Sequence, residues 1–218
     1  MATIKAAQIA VTPFQQNCAL VWDAETGKGT VVDPGGDVPR ITAAIDRAGF
    51  TVESILLTHG HLDHAGGAAE LKRLLQAKGG APVPIEGPDR RDDFLLSGIA
   101  AQAAEYGLEG LDNATPDRWL SEDDTVQIAG QDFEVLHCPG HTPGHLVFAS
   151  RALGFALVGD VIFRGSIGRT DFPYGDHEAL IEAITTKLLP LGDAMRFLCG
   201  HGPGSTIGEE RRSNPFLR

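Results

Sequence analysis

The sequence predicts an α/β fold in which two strand-rich parts pack sheet against sheet, with helices covering the outer faces. Three observations support this prediction. Short β-like runs dominate the first third of the chain and return from Thr125 to Asp160, helical patterns lie between and after them, and several of the runs end directly in a residue that can bind metal. A chain of 218 residues can also bury a substantial core.

The first third of the chain alternates β-like runs with turns and helices. A helix is expected over residues 38–48, because apolar residues recur there at helical spacing, with Asp37 as the N-cap and Gly49 as the end. A second helix begins near Ala65 and continues to Gly79-Gly80. The strands predicted in this part are residues 4–10, 18–22, 29–33 and 54–57, the last leading to His59.

The middle of the chain has a different pattern, with Pro-led turns and a helix from about residue 88 to residue 106 that we interpret as cover for the site. Strand patterns then return. A last helix is expected over residues 177–189, before a short strand at residues 196–199. The other strands predicted in this part are residues 126–128, 133–136, 146–148 and 155–158.

The densest group of metal-capable side chains is Thr58-His59-Gly60-His61-Leu62-Asp63-His64, which gathers three imidazoles and a carboxylate within six residues. Zinc, iron and manganese favour these ligands, and a packed core gives no reason to collect them. A single H-x-H pair is also found in surface tracts, but this cluster lies between a buried strand and a helix, where α/β folds place their sites. The pattern therefore predicts metal ligands and a metallohydrolase.

Three later segments also end a strand-like run with a candidate ligand, beside glycine or proline residues that favour a tight turn. Several strand ends are therefore expected to converge on one site. The segments are His-Cys-Pro-Gly-His-Thr-Pro-Gly-His at residues 137–145, Gly-Asp at residues 159–160 and Cys-Gly-His-Gly at residues 199–202.

Composition and charge narrow the classes of partner. The net charge of −11 argues against nucleic acid, because an acidic surface repels phosphates and no long Lys/Arg run offsets it. No apolar tract approaches the roughly 20 residues that cross a bilayer, and no secretory leader pattern is present, so we expect no membrane partner and a cytoplasmic location. Three cysteines are too few for a disulfide framework and fit a reducing compartment.

The ligand motifs carry a family resemblance. T-H-x-H-x-D-H at residues 58–64, G-H-T-P-G-H at 140–145, G-D at 159–160 and G-H-G at 200–202 resemble the metallo-β-lactamase superfamily. N-C-A-L at 17–20, V-D-P-G-G at 32–36 and G-R-T-D-F at 168–172 are similar to its short bacterial type II glyoxalase branch, the hydroxyacylglutathione hydrolases. The resemblance implies a four-layer αββα sandwich of two mixed sheets, as one domain over residues 1–218 without the extra carboxyl-terminal helical domain of longer glyoxalases.

The same resemblance implies a site with two divalent ions, zinc by preference, with iron and manganese as alternatives. Asp63 and Asp160 are the expected catalytic residues, since Asp160 would bridge the ions and Asp63 would both ligate and orient the nucleophile. The implied ligands are His59, His61 and His141 for one ion, Asp63, His64 and His201 for the other, and Asp160 for both.

The remaining histidines and cysteines are interpreted as structural. His137 and His145 are expected to satisfy loop backbone or to orient the ligands, and His177 is expected to be solvated or to cap a helix. Cys138 and Cys199 could bind zinc as thiolates, but free cysteine is among the most buried residue types, which favours buried thiols.

The implied reaction is hydrolysis of a thioester, S-D-lactoylglutathione, to D-lactate and glutathione by a hydroxide that bridges the ions. Arg169 is expected to pair with a glutathione carboxylate, and Tyr174 and Arg164 are further candidates for substrate binding. For Arg169, an internal ion pair with Asp171 or Asp176 is an equally open alternative.

Other functions compete with this interpretation. The persulfide dioxygenases are similar at the ligand motifs and use one ferrous ion, with glutathione persulfide as the substrate. A class B β-lactamase fits less well, because the glyoxalase-like segments are present and a secretory leader is not. A metal-binding scaffold without turnover is the third alternative. The sequence gives no signal for the oligomeric state.

Overall fold

The computed structural model describes residues 3–79 and 81–218, and it contains two mixed β-sheets packed face to face with helices on both outer faces. This arrangement confirms the αββα sandwich that the sequence predicts. The predicted end of the second helix at Gly80 lies outside the described residues. None of the helices in the described ranges combines the length and the apolar character that a bilayer crossing requires.

The first sheet is formed by the amino-terminal strands, which lie side by side in chain order. They are β1 (Ile4–Val11), β2 (Gln16–Asp23), β3 (Lys28–Val32), β4 (Thr51–Leu56) and β5 (Ile85–Glu86). β1, β2 and β3 pair antiparallel, whereas β3, β4 and β5 are parallel. The helices of this half are α1 (Val38–Ala48), α2 (Leu62–Ala65), α3 (Ala68–Ala77), α4 (Asp93–Leu96) and α5 (Ile99–Glu105).

The second half of the chain supplies the second sheet, a separate hairpin and two helices. In chain order the strands are β6 (Thr125–Ile128), β7 (Gln131–His137), β8 (Leu146–Ser150), β9 (Phe155–Leu157), the hairpin β10 (Ile162–Phe163) and β11 (Ser166–Ile167), then β12 (Arg196–Leu198) and β13 (Ser205–Thr206). The sheet order is β13-β12-β9-β8-β7-β6, with β9 and β12 parallel and the other neighbours antiparallel. The helices are α6 (His177–Ala183) and α7 (Ile207–Ser213).

Three apolar cores separate the four layers, because side chains alternate between the two faces of each strand. In β2, Leu20 packs in the core beneath the helices of the first half, whereas the adjacent Val21 packs between the sheets. In β8, Phe148 packs between the sheets and the adjacent Val147 packs in the core beneath α6 and α7. Both sheets are therefore buried on both faces.

Two predicted helices are interrupted in the structure. The helix expected over residues 88–106 is a 3-10 turn at Arg90–Asp92 followed by α4 and α5, which are separated at Ser97 and Gly98, where an interior glycine weakens the helix. The helix expected over residues 177–189 becomes a π turn at Ile184–Leu188. Hydroxyls of neighbouring threonines bond back to helix carbonyls there, a pattern that distorts helices.

The ends of α1 test the two predicted caps. Gly49 ends the helix with a φ of 71°, a left-handed conformation that glycine adopts without strain, so this prediction is confirmed. Asp37 occupies the predicted N-cap position, but its side chain makes no capping hydrogen bond. Its side chain accepts hydrogen bonds from the Thr12 backbone N–H and the Arg40 guanidinium instead of a first-turn N–H.

The strand directions bring the predicted ligand segments to one edge of the sandwich. β3 and β4 are parallel in the first sheet, and β9 and β12 are parallel in the second. β7 has the same direction as β9, because β8 lies antiparallel between them. The segments after β4, β7, β9 and β12 carry the predicted ligands. Their carboxyl ends meet, as the strand-then-ligand pattern predicts.

Candidate metal centre

The first group of side chains joins the two halves of the chain. His59 and His61 lie in the loop after β4, and His141 lies in the turn between β7 and β8. The Nδ1 atom of His61 is 3.0 Å from Nε2 of His59 and 3.0 Å from Nε2 of His141. Two nitrogens bound to one zinc ion at about 2.0–2.1 Å would be roughly 3 Å apart. The three imidazoles therefore form a compact set that fits one ion.

The protonation of this first group also suits a cation. Burial lowers the pKa of His59 far below its ordinary value and lowers the pKa of His61 to about 3. The pKa of His141 is lowered as well, again chiefly by burial. These imidazoles are therefore neutral at neutral pH, and each keeps a lone pair on the nitrogen that faces its neighbours.

The second group combines Asp63 and His64, both on α2, with His201 from the loop after β12. The Nε2 atom of His201 is 3.4 Å from Oδ2 of Asp63. Burial alone would lower the pKa of His201, but the contact with Asp63 and the charge of Asp160 raise it. The structure thus brings together the second set of ligands that the resemblance implies.

Asp160 lies between the two groups. Its Oδ2 atom is 3.5 Å from Nε2 of His141 and 3.5 Å from Nε2 of His201, and its Oδ1 atom is 3.4 Å from Nε2 of His64. Burial opposes ionisation of this carboxyl, but the neighbouring histidines, His64 first, hold its pKa far below the usual range. One carboxylate therefore contacts members of both groups.

Asp33 was not among the predicted site residues, yet it orients two of them. Its carboxylate accepts hydrogen bonds from the Thr58 N–H at 2.8 Å, the Thr58 hydroxyl at 2.7 Å and Nδ1 of His64 at 2.9 Å. Because the Thr58 hydroxyl donates to Asp33, its oxygen accepts from Nδ1 of His59 at 3.0 Å. Both Nδ1 protons therefore point outward, and Nε2 of each ring faces the centre.

Two buried atoms at the centre, Nε2 of His64 and Oδ1 of Asp160, lie 3.4 Å apart but make no hydrogen bond within the described part of the chain. Burial disfavours a charged His64, but the carboxylates of Asp160 and Asp63 outweigh it and raise its pKa. The surroundings therefore stabilise positive charge at this point. A divalent cation supplies such charge and uses both lone pairs, so these residues fit metal binding.

A close approach of the backbone requires glycine beside this pair. A Cβ on Gly200 would lie 2.0 Å from Oδ1 of Asp160 and 2.5 Å from Cε1 of His64. Asn17 holds the same loop, since its Nδ2 donates to the Gly202 carbonyl at 2.7 Å and the Cys199 carbonyl at 3.1 Å. The N-C-A-L segment near the amino terminus therefore fixes the loop that carries the candidate ligand His201, 184 positions later in the sequence.

Asp92 is a second residue that the sequence analysis missed. It lies in the 3-10 turn before α4 and is fully buried. Its carboxylate accepts from the Gly60 N–H at 2.9 Å, the Thr142 hydroxyl at 2.7 Å and the Gly144 N–H at 2.6 Å. One carboxylate thereby connects the two loops that supply the first group. No local pattern marks it, because its aspartate neighbours look equivalent in the sequence.

The other histidines occupy supporting or solvated positions. Nε2 of His145 accepts from the Asp160 backbone N–H at 3.0 Å, and the ring stacks on His59 at 4.6 Å. Nε2 of His137 is 2.8 Å from the Pro143 carbonyl, so it satisfies loop backbone. His177 begins α6 and is exposed, and the cap of that helix is the side chain of Asp176.

The cysteines are buried free thiols. Burial raises the pKa of Cys138 to about 12 and that of Cys199 to about 11. Thiols with such values are not thiolates at neutral pH, and thiolate is the form that binds zinc. Neither cysteine belongs to a compact ligand group in the described residues.

The three predicted substrate contacts differ in their surroundings. Arg169 donates from Nε and a terminal nitrogen to Asp171 at 2.7 and 2.8 Å, so its guanidinium forms the internal ion pair left open by the sequence. Its backbone carbonyl lies 2.8 Å from Nδ1 of His141. Tyr174 places its hydroxyl 2.8 Å from Nε2 of His61 and thereby orients that ring.

Arg164 is the remaining candidate. It is exposed in the turn between β10 and β11, next to Phe163, whose ring lies 6.2 Å from that of His201. Within residues 3–79 and 81–218 no carboxylate lies close enough to form an ion pair with it. Its guanidinium is therefore exposed and has no ion-pair partner in this part of the chain.

A cleft of about 750 Å³ lies elsewhere, between β1 of the first sheet and the β12–β13 edge of the second. Its lining includes Ile4, Gln8, Phe155 and Phe197, and it contains none of the ligand side chains. The titratable histidine and carboxylate side chains therefore gather in the cluster and not in this cleft.

Comparison with known proteins gives consistent results over nearly the whole chain. The family model of the metallo-beta-lactamase superfamily matches residues 11–201. Among curated proteins, the hydroxyacylglutathione hydrolase GloC of Haemophilus influenzae is 47% identical over 210 residues, which cover 96% of each chain.

Solved structures agree with this result. The BLEG-1 B3 metallo-beta-lactamase has a TM-score of 0.87 at 32% identity and covers 98% of this chain and 99% of its own. TTHA1623 in a di-iron-bound form has a TM-score of 0.84 at 36% identity and covers 97% of this chain and 100% of its own. The second of these proteins binds two iron ions in its crystal structure.

The Asp33 network leads to a prediction about metal affinity. In Asp33→Asn, one carboxylate oxygen becomes an amide nitrogen that faces donors, so His59 and His64 lose their fixed orientation. We expect the affinity for zinc to fall by about 10- to 100-fold, measured by competition with a chelator. Asp46→Asn, at an exposed carboxylate that pairs with Lys78, is the matched control. Unchanged zinc affinity in Asp33→Asn would contradict this role.

The buried Asp92 leads to a prediction about pH and stability. Burial raises its pKa to about 6, whereas an aspartate in the unfolded chain titrates near 3.9. Between these values the native state keeps a proton that the unfolded state has lost, so rising pH lowers the free energy of unfolding. We expect wild type to lose up to about 3 kcal/mol relative to Asp92→Asn between pH 4 and pH 7.

Urea unfolding of chelator-treated wild type and Asp92→Asn measures this difference in the free energy of unfolding. Both proteins contain the same histidine cluster, so its titration contributes equally to both and cancels from the difference. A difference between wild type and Asp92→Asn that does not change with pH would show that Asp92 is ionised in the native state throughout this range.

Proposed function

The chain belongs to the metallo-β-lactamase superfamily, and from this premise we propose that it is a two-metal hydrolase of thioesters, with S-D-lactoylglutathione as substrate. The observation that carries the proposal is the arrangement of two compact ligand groups with the Asp160 carboxylate between them. Superfamily membership confirms the family and the metallohydrolase class that the motifs predict. The substrate and the metal are the further steps proposed here.

The proposed ligands are those implied by the resemblance, with two zinc ions as the first choice. Imidazole suits zinc and iron, and carboxylate suits manganese, so the donor set accepts all three. Nε2 of His64 and Oδ1 of Asp160, two buried atoms that make no hydrogen bond in the described residues, support a cation between the groups. Iron is supported by the di-iron form of TTHA1623.

Bound divalent ions would lower the pKa of a coordinated water and polarise the carbonyl of a substrate. The side chains then have separate tasks. Asp160 holds the two ligand groups at a fixed distance, and Asp63 accepts a proton or orients the attacking water beside His201. Tyr174 and Asp33 keep the imidazoles in the orientation that binding needs.

The thioester substrate is supported by the relative from Haemophilus influenzae, whose name describes hydrolysis of hydroxyacylglutathione. Glutathione carries two carboxylates, and Arg164 is an exposed cation that follows Phe163, whose ring lies 6.2 Å from that of His201. We assign the carboxylate contact to Arg164 in preference to Arg169, because Asp171 already neutralises Arg169. The acidic surface and free cysteines fit a cytoplasmic enzyme without a nucleic-acid or membrane partner.

The first test measures metal content and thiol release in the same preparation. We expect two divalent ions per chain and release of glutathione from S-D-lactoylglutathione. His59→Ala and Asp160→Ala each remove a ligand, so release should fall by on the order of 100-fold or more. Arg196 is an exposed residue at the start of β12 and belongs to neither ligand group, so Arg196→Ala should retain full activity.

The contrary result is equally specific. One iron per chain, no thiol release and oxygen uptake with glutathione persulfide would replace the thioester hydrolase by the dioxygenase alternative. Turnover of a β-lactam in place of the thioester would favour the activity named for BLEG-1.

A second test separates the two arginines. Arg164→Ala should raise KM for S-D-lactoylglutathione by about 3- to 10-fold with little change in kcat, since an exposed charged contact contributes modestly. Arg169→Ala should change KM by less than about threefold, because its guanidinium is already paired. The reverse order of effects would assign the carboxylate contact to Arg169.

A further inference from the structure

Several aromatic side chains of the described residues are highly exposed. Phe14 is 42% exposed, Phe94 is 50% exposed and Tyr106 is 62% exposed. They account for three of the five large apolar side chains with high exposure in the described residues. Clustered exposed apolar rings mark binding surfaces more often than chance. Phe94, Phe172 and Tyr174 form what we call the aromatic wall.

The wall begins at the first ligand group. The ring of Phe172 lies 5.0 Å from that of His61 and 5.8 Å from that of His141. Tyr174 stacks on Phe172 at 5.3 Å with an interplanar angle of 12°, and Phe94 meets Tyr174 edge-on at 5.3 Å. Three rings therefore lead from the ligands to the surface in continuous contact.

Phe14, in the turn between β1 and β2, meets Tyr106 edge-on at 6.1 Å, so these two exposed rings form a second aromatic pair.

The wall carries no free charge at its inner end. The guanidinium of Arg169 lies 4.3 Å above the Phe172 ring and is paired with Asp171. The Tyr174 hydroxyl is bonded to His61. A charged group placed here would lose water without gaining a partner, whereas an apolar group would gain contact area.

We propose that the aromatic wall is an acyl subsite, which binds an apolar group of about the size of a phenyl ring on the acyl side of the thioester. The inference rests on the proposed function and specifies its substrate class. The thioester carbonyl has to lie at the ligand cluster, so its two substituents extend to different sides. Assigning the charged thiol carrier to Arg164, as proposed above, leaves the wall beside His61 and His141 for the acyl group.

The test compares two glutathione thioesters that differ in one group. S-D-mandeloylglutathione carries a phenyl ring where S-D-lactoylglutathione carries a methyl group, and both keep the 2-hydroxyl. Hydrophobic pockets discriminate by about 10- to 200-fold for small apolar changes, so we expect kcat/KM for the mandeloyl ester to be at least about 10-fold higher. Phe94→Ala should reduce this ratio by about 3- to 10-fold, because an aromatic contact is lost.

Leu74→Ala is the matched control, since Leu74 is also a large exposed apolar side chain but lies on α3 away from the wall. Its ratio should equal that of wild type. Binding of S-benzylglutathione and S-methylglutathione, which are not hydrolysed, gives a second readout by calorimetry. We expect the benzyl compound to bind at least about 10-fold more tightly, and Phe94→Ala to reduce that preference.

The outcomes separate the two proposals. A wild type that prefers the lactoyl ester, or a ratio that is unchanged in Phe94→Ala, overturns the acyl subsite while thioester hydrolysis stands. A second outcome is that neither ester releases thiol, while wild type still prefers S-benzylglutathione and Phe94→Ala does not. This outcome overturns the hydrolase and supports the apolar subsite. Absence of both turnover and preference overturns both.

Discussion

The structure depends on the balance of charge around one buried carboxylate, that of Asp160. A buried charge is strongly unfavourable without compensation, and here the compensation comes from histidines in both halves of the chain. His64 follows a strand of the first sheet, whereas His141 and His201 follow strands of the second. The centre therefore exists only when the two sheets are packed face to face with these strand ends at the same edge, so the sandwich and the site form together.

A layer of hydrogen-bond acceptors surrounds this centre and determines which atoms face it. Asp33 accepts the outward protons of the network that includes His59 and His64, and Asp92 connects the loops on either side of the inter-sheet boundary. Carboxylates are suited to this task because an ionised carboxylate accepts several hydrogen bonds and donates none. The ligand geometry is thus supported by residues that would not touch a bound ion.

The surfaces beside the two ligand groups differ chemically. The aromatic wall lies by the first ligand group, where Arg169 is already paired with Asp171, whereas the β10–β11 hairpin places Phe163 by the second and carries the exposed Arg164 in its turn. Buried Glu210 holds this hairpin, since it accepts from the Gly165 N–H at 2.7 Å and from Asn214 at 3.0 Å. The carboxyl-terminal helix α7 therefore holds the hairpin that carries Arg164, although α7 itself contains none of the candidate ligands.

Local patterns of strands and strand-end polar residues in the sequence determined that two sheets pack together and that these segments converge, whereas the choice of the individual side chains at the centre, such as His141, came from the family resemblance. The sequence also placed the end of α1 at Gly49. Only the tertiary structure decided which residues hold the candidate ligands in place by hydrogen bonds. Asp33 and Asp92 act on residues 25 to 52 positions away, so no local spacing distinguishes them from ordinary turn aspartates. The two-residue strand β5 was missed for the same reason, because it exists through its pairing with the distant strand β4. The break of the helix at Gly98 has a local cause, the interior glycine, that the sequence pattern did not resolve.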